Sequence, residues 1–321
     1  MVAVLAAAAC STDRPATERT AEPTPASGEA GASAPSPEPT PEQQPVEPSE
    51  SSAAADPAGP LSADDPDPAA AVRAVRRLAG RIGPREATGA AYDRAAAWVS
   101  GELTRLGYDV VRQRVDVPTG ESWGVPVPAG RSANVVASPP GFDATEPHLV
   151  VGAHLDTVPQ APGAEDNASG VGVLLAVAEA ASVRRTRLPT VFVAFGAEEP
   201  RGPTVDDHHY GSRHYVDRLG PRERAAVRGM VSLDRVGSAG DDDPVQQALL
   251  AAARRAGAAV IAEDGQRSSD HWSFVRAGLP GARLGSTPYA GYHSAGDVPT
   301  VVSVAQLERV GRIVAAWLAP R

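Results

Sequence analysis

The chain of 321 residues holds a single cysteine, so no disulfide can form within it and cysteine usage leaves the compartment open. It lacks any run of about eighteen apolar residues, which excludes a membrane-spanning helix in the mature protein. It also lacks an excess of basic residues. The formal charge of −9 argues against a nucleic-acid partner. No internal repeat is visible. Residues 11–68 contain no aromatic side chain, and Val46 and Leu61 are nearly their only large aliphatics. That stretch is rich in Pro, Ala, Glu, Ser and Thr and cannot bury enough apolar surface to offset its conformational entropy. A disordered, semi-stiff spacer is expected there.

What is present begins at the N-terminus. MVAVLAAAAC, residues 1–10, is an apolar, Ala-rich run ending in the lone Cys10. It resembles the end of a bacterial lipoprotein signal peptide, which implies export, to the cell envelope or beyond, with membrane contact only through a lipid anchor at Cys10. It departs from that pattern in having no basic n-region and in carrying Ala7 where Leu is usual.

Residues 69–321 read as one large α/β domain. Helical spacing appears over 69–80 and 87–107, with Gly107 as a stop. YDVVRQRVDVP (108–118) alternates like a strand, and SANVVASP (132–139) can pair with it in antiparallel fashion. HLVVGAH, PTVFVAFGAEE and RGMVSLDRVG are continuous apolar runs, as expected of strands covered on both faces. AAVIAED and ARLGS read as further strands. Helical stretches lie between these runs and after the last. The alternation predicts a three-layer α/β/α sandwich with a mixed, mostly parallel central sheet. Sites in such sheets form at the carboxyl ends of strands.

Chemistry-bearing residues fall at those ends. His154 and Asp156 close one strand, and at period two they share a face, so Asp156 can accept the ring N–H of His154 and fix its tautomer. Asp166 follows in GAEDNASG, where small residues let the backbone approach a cluster; a helix N-cap by Asp166 or Asn167 is the competing role. Glu198 and Glu199 are adjacent, so one can bind metal while the other faces the substrate. Asp234 ends a third strand. His293 lies in GYHSAGD, beside Tyr292, which can donate to a developing oxyanion, and near Asp297, which can orient His293. His208 and His209, in PRGPTVDDHHYG, are expected in a solvated surface loop; His148 precedes a strand, His214 lies on a helix face, and His271, in SSDHWSF, is expected to be structural.

At AHLDTV, GAEDNASGVGVLLAVAEA, FVAFGAEE, YGSRHYV, SLDRVG, SSDHWSFVRAGLPGARL and YHSAGD the chain resembles the zinc exopeptidases of aminopeptidase Y and the secreted bacterial leucyl aminopeptidases. The resemblance implies two Zn²⁺ per chain. His154 and Asp234 would hold one ion, Glu199 and His293 the other, and Asp166 both. It implies a shared water whose pKa falls towards ~7, Glu198 as its proton acceptor, and a cis peptide between Asp166 and Asn167. The expected activity is removal of N-terminal residues from peptides with a free amine, by a chain that needs no partner subunit. Arg235 departs from the family pattern, which usually has an apolar residue there. Thr300 stands where an acid is common, and PRGPTVDDHHY is longer than usual. Two other readings stand beside this one. A carboxypeptidase or deacylase shares the core, but 199–234 leaves no room for the inserted domain such enzymes carry. A non-catalytic surface binding protein would be expected to have lost a ligand, and none is lost. Relatives with one zinc cyclise N-terminal glutamine, which the complete ligand set argues against.

Overall fold

The computed structural model describes residues 59–320 except 237, 241–243, 263–264, 286–288 and 290. The signal-like segment and the spacer up to residue 58 lie outside the described residues. The N-terminal part of the domain runs α1 (Pro68–Val75), a wider π-type turn (Arg76–Ile82), α2 (Ala90–Arg105), β1 (Asp109–Val117), β2 (Gly120–Ser122), β3 (Val125–Val127) and β4 (Gly130–Ser138). Then come β5 (His148–His154), α3 (Gly170–Ser182), β6 (Thr190–Phe195), α4 (Tyr210–Arg218), α5 (Pro221–Ala226) and β7 (Val227–Asp234). The chain continues through β8 (Ser238–Gly240), α6 (Pro244–Arg255), α7 (His271–Arg276), β9 (Gly281–Gly285) and α8 (Val304–Leu318).

The main sheet has the order β1-β4-β6-β5-β7-β9-β8. The inner four strands, β6, β5, β7 and β9, are parallel, and the flanking pairs are antiparallel. Every residue of β5 and β6 is buried, because their apolar runs serve two layers at once. Along β5, Leu149, Val151 and Ala153 join the larger core with α1, α2, α3, α6 and α8. Val150 instead joins Phe195, Tyr215 and Phe274 on the opposite face. The period-two alternation thus sorts one strand between two cores. The sandwich and its mixed, mostly parallel sheet are as expected from the sequence, and β1 and β4 pair from Asp109↔Ser138 to Val117↔Gly130.

Two expectations are corrected, and one element is new. The spacer was expected to reach residue 68, but 59–67 pack on the domain. Leu61 is buried in the main core and its N–H bonds Arg185 O at 2.9 Å. Asp67 caps α1 by accepting Ala69 N–H. AAVIAED was expected as a strand, yet 258–262 carry no strand, and residues 263–264 lie outside the described residues. The small β2–β3 hairpin, inserted between β1 and β4, was not anticipated. It is too short to show a period.

Candidate metal centre

The ends of β5, β6 and β7 lie side by side, and the segments leaving them turn towards one pocket of about 340 Å³. Buried Arg85 shapes the segment after β5. Its guanidinium donates to the carbonyls of Leu155, Pro162 and Gly163 at 2.9, 2.6 and 3.0 Å. Burial depresses its pKa to about 10, so it stays charged. Gly163, with φ +65, turns the chain into the Asp166 segment.

Asp166 stands between the two imidazoles. Its Oδ1 lies 3.1 Å from His154 Nε2 and its Oδ2 lies 3.0 Å from His293 Nε2. Glu199 Oε2 is 3.5 Å from His293 Nε2, and Asp234 Oδ1 is 3.8 Å from His154 Nε2. All five side chains expected as ligands therefore converge, and each is buried or nearly so. Asn167 supplies the helix cap considered in the sequence, since its Oδ1 accepts Gly170 N–H at 3.0 Å while its Nδ2 donates to Leu233 O at 2.8 Å. This leaves the Asp166 carboxylate to the cluster and ties its loop to the end of β7. The Asp166–Asn167 peptide is cis.

Two expected roles change. The ring Nδ1 of His154 faces the backbone carbonyl of Asp156 at 3.2 Å, with the Asp156 carboxylate 3.8 Å away. That carboxylate instead accepts Glu198 N–H at 3.0 Å and Glu199 N–H at 3.1 Å. Asp297 does not orient His293. It accepts Glu165 N–H at 2.8 Å and Asp166 N–H at 3.1 Å, which fixes the backbone that carries the Asp166 side chain. Tyr292 stacks on the His293 ring at 3.6 Å.

Sequence reasoning also missed several residues. His209, expected in solvent, is 4% exposed and its Nε2 lies 3.1 Å from Glu198 Oε1, off the line of a hydrogen bond. Burial pushes its pKa down to about 4, so it faces Glu198 as a neutral ring. Trp123, from the turn of the β2–β3 hairpin, packs edge-on against His293 at 4.4 Å and forms a pocket wall. Arg235 and Arg283 both pair with Asp234. Arg235 Nε reaches Oδ1 at 3.2 Å, and Arg283 Nε lies 3.1 Å from Oδ2. Arg235 was noted only as an oddity of the pattern, and nothing local pointed to the others.

The electrostatics fit a cation site. Burial, together with Asp234, Asp156 and Asp166, raises the Glu198 pKa to about 7. Burial and the charges of Asp166 and Glu198 raise that of Glu199 well above the carboxylate range. Burial opposes ionisation of Asp234, yet Arg283 and Arg235 hold it well below that range. Glu199 Oε1 and His293 Nδ1 are buried without a hydrogen-bond partner, a cost that a partner cation at Glu199 would relieve. His154, Asp166 and Glu199 offer donor atoms within 4.8 Å of one another, and so do His154, Glu198 and Asp234. Imidazole and carboxylate donors in buried, convergent sets suit zinc.

Residues 134–318 match the family model described as Peptidase family M28. The chain is 31% identical over 214 residues to leupeptin-inactivating enzyme 1 of Streptomyces exfoliatus, covering 63% of this chain and 45% of that protein. It thus spans less than half the length of that curated relative. Among solved structures, a zinc aminopeptidase from Bacillus subtilis superposes with a TM-score of 0.70 at 19% identity, over 80% of this chain and 96% of that one. A glutaminyl cyclase from Bacteroides thetaiotaomicron does so with 0.68 at 20% identity, over 79% and 98%. At such identities the likeness speaks for the fold alone.

Proposed function

Since the chain belongs to peptidase family M28, we propose that it is a zinc-dependent aminopeptidase that removes N-terminal residues from peptides and holds two zinc ions. The observation that carries this reading is the position of Asp166, whose two oxygens face His154 and His293 separately at 3.1 and 3.0 Å. A carboxylate so placed suits two cations at once. His154 and Asp234 would hold one ion, Glu199 and His293 the other, and Asp166 both.

When bound, zinc supplies a Lewis acid and lowers the pKa of water. The remaining work falls to the protein. Glu198, with its pKa raised to about 7, is suited to take a proton from the attacking water at a carboxylate oxygen and to hand it to the leaving amine. Asp156 aims it by holding the backbone N–H groups of Glu198 and Glu199. The Tyr292 hydroxyl donates to the oxyanion that develops on the scissile carbonyl. Burial raises the Tyr292 pKa, which keeps that proton in place. Trp123 and Tyr292 line the pocket beside His293.

The test compares leucine p-nitroanilide with its N-acetylated form, with and without a chelator, alongside the zinc content of the protein. Chelator-sensitive cleavage of the free-amine substrate alone supports the proposal. Cleavage neither of this pair nor of the corresponding glutamyl pair, or equal cleavage of both members of a pair, overturns it.

A further inference from the structure

Arg235 follows Asp234 with φ +49, a left-handed turn that swings its side chain over the pocket rather than away from it. The residue is 5% exposed. Its Nε is anchored on Asp234 Oδ1 at 3.2 Å, and its Cζ lies 4.6 Å above the Tyr292 ring. Both contacts hold the guanidinium plane, but neither uses its far end. Among the described residues Nη1 and Nη2 make no hydrogen bond, and neither is sealed from the pocket. A guanidinium carries a planar fork of N–H donors that matches a carboxylate in bidentate fashion, and leaving such donors unpaired in a buried place is costly.

The charge balance points the same way. The pocket walls carry the carboxylates of Asp166, Glu198, Glu199 and Asp234 and the guanidiniums of Arg235 and Arg267. Two divalent ions would balance the four acids and leave both guanidiniums in excess. Arg283 already faces the other oxygen of Asp234 at 3.1 Å, so a pocket for neutral side chains gains little from a second buried, rigidly held cation, which would also repel the substrate's amine.

We propose that this pocket takes a substrate bearing a carboxylate, clamped by the Nη fork of Arg235. The inference rests on the two-zinc aminopeptidase reading for the reaction and for the charge balance; the clamp itself stands on the geometry of Arg235. The carboxylate can come from an N-terminal Asp or Glu side chain or from the C-terminus of a dipeptide. Two pairs of substrates separate these sources: glutamyl against leucyl p-nitroanilide, and Leu-Gly against Leu-Gly amide.

The expected result is a kcat/KM preference of at least about tenfold for the acidic member of one pair, reduced by about 10- to 100-fold in R235Q, in line with a charge-assisted hydrogen bond. R235K, which keeps the charge but not the fork, should fall between, and it serves as the variant if R235Q fails to fold. No preference in either pair, or a preference untouched in both variants, overturns the proposal. Calorimetric titration of the zinc-loaded and the chelator-treated protein with glutamate, glycylglycine and leucinamide, which has no carboxylate, gives a readout independent of turnover. Glutamate or glycylglycine should bind at least about tenfold more tightly than leucinamide to the wild type, and should lose that margin in R235Q. If no substrate is cleaved, the aminopeptidase reading fails, and the titration alone decides the clamp. Equal binding of glutamate, glycylglycine and leucinamide would then overturn it.

Discussion

Asp156 Oδ1 accepts the backbone N–H of Glu198 at 3.0 Å, across 42 residues of sequence, and both residues are buried. The other oxygen accepts Glu199 N–H at 3.1 Å, so one carboxylate holds the backbone of both glutamates. Burial raises the pKa of Asp156, and His154 and the two N–H groups oppose that rise. In Asp156→Asn the amide would turn an N–H towards one of these donors. We expect a loss of about 1–3 kcal/mol of stability, the range for a buried donor left unpaired, with a fall in kcat from the displaced Glu198. Urea unfolding read beside steady-state kinetics would check this. Unchanged values for both would remove Asp156 from the site's support.

Glu198→Gln should retain zinc and the fold while turnover drops by about 10²–10⁴-fold, the usual contribution of a positioned base. The glutamine keeps the shape and loses the proton-accepting charge. Near-normal kcat in a protein with full zinc content would show that another group accepts the proton.

Chelation should lower the melting temperature, and added zinc should restore it. A ligand that binds only the folded state stabilises it by about 2.7 kcal/mol at a hundredfold excess over Kd. The buried acids around Glu199 reinforce the effect, because their repulsion is relieved by a cation. A melting temperature indifferent to chelator, in protein shown to have held zinc, would argue that the cluster does not bind it.

His148 opens β5 with its ring buried and edge-on to Phe142 at 5.1 Å. Burial lowers its pKa from 6.5, partly opposed by Glu146, whose carbonyl lies 2.8 Å from Nδ1. In the window from about 6.5 down to the folded value, the unfolded chain binds more protons than the folded one. The stability this residue contributes is present above pH 6.5 and lost as the pH falls through that window. His148→Gln should flatten that part of the stability profile. Equal slopes for wild type and variant in acid would rule out His148 as the cause.

The sequence alone determined the layers, most of the strands and the five converging side chains. Buried parallel strands announce themselves as unbroken apolar runs, and a His or acid just past such a run has few places to go except the carboxyl edge of the sheet. It also pointed to the Asn167 cap, because Asn at the start of a helix has one main local use. Tertiary structure alone decided the rest. Asp156 and Asp297 serve backbone N–H groups, which carry no residue-type signature and come near only through folding. His209 sits in a segment of Asp, Pro and His that reads as solvated; the chain buries it against Glu198 only because α4 packs beside the sheet. Whether Arg235 faces solvent or the pocket depends on one left-handed φ and on Tyr292 arriving from 57 positions further along the chain. Local pattern specifies which face a residue occupies, whereas partners distant in sequence are set by the closure of the whole sheet.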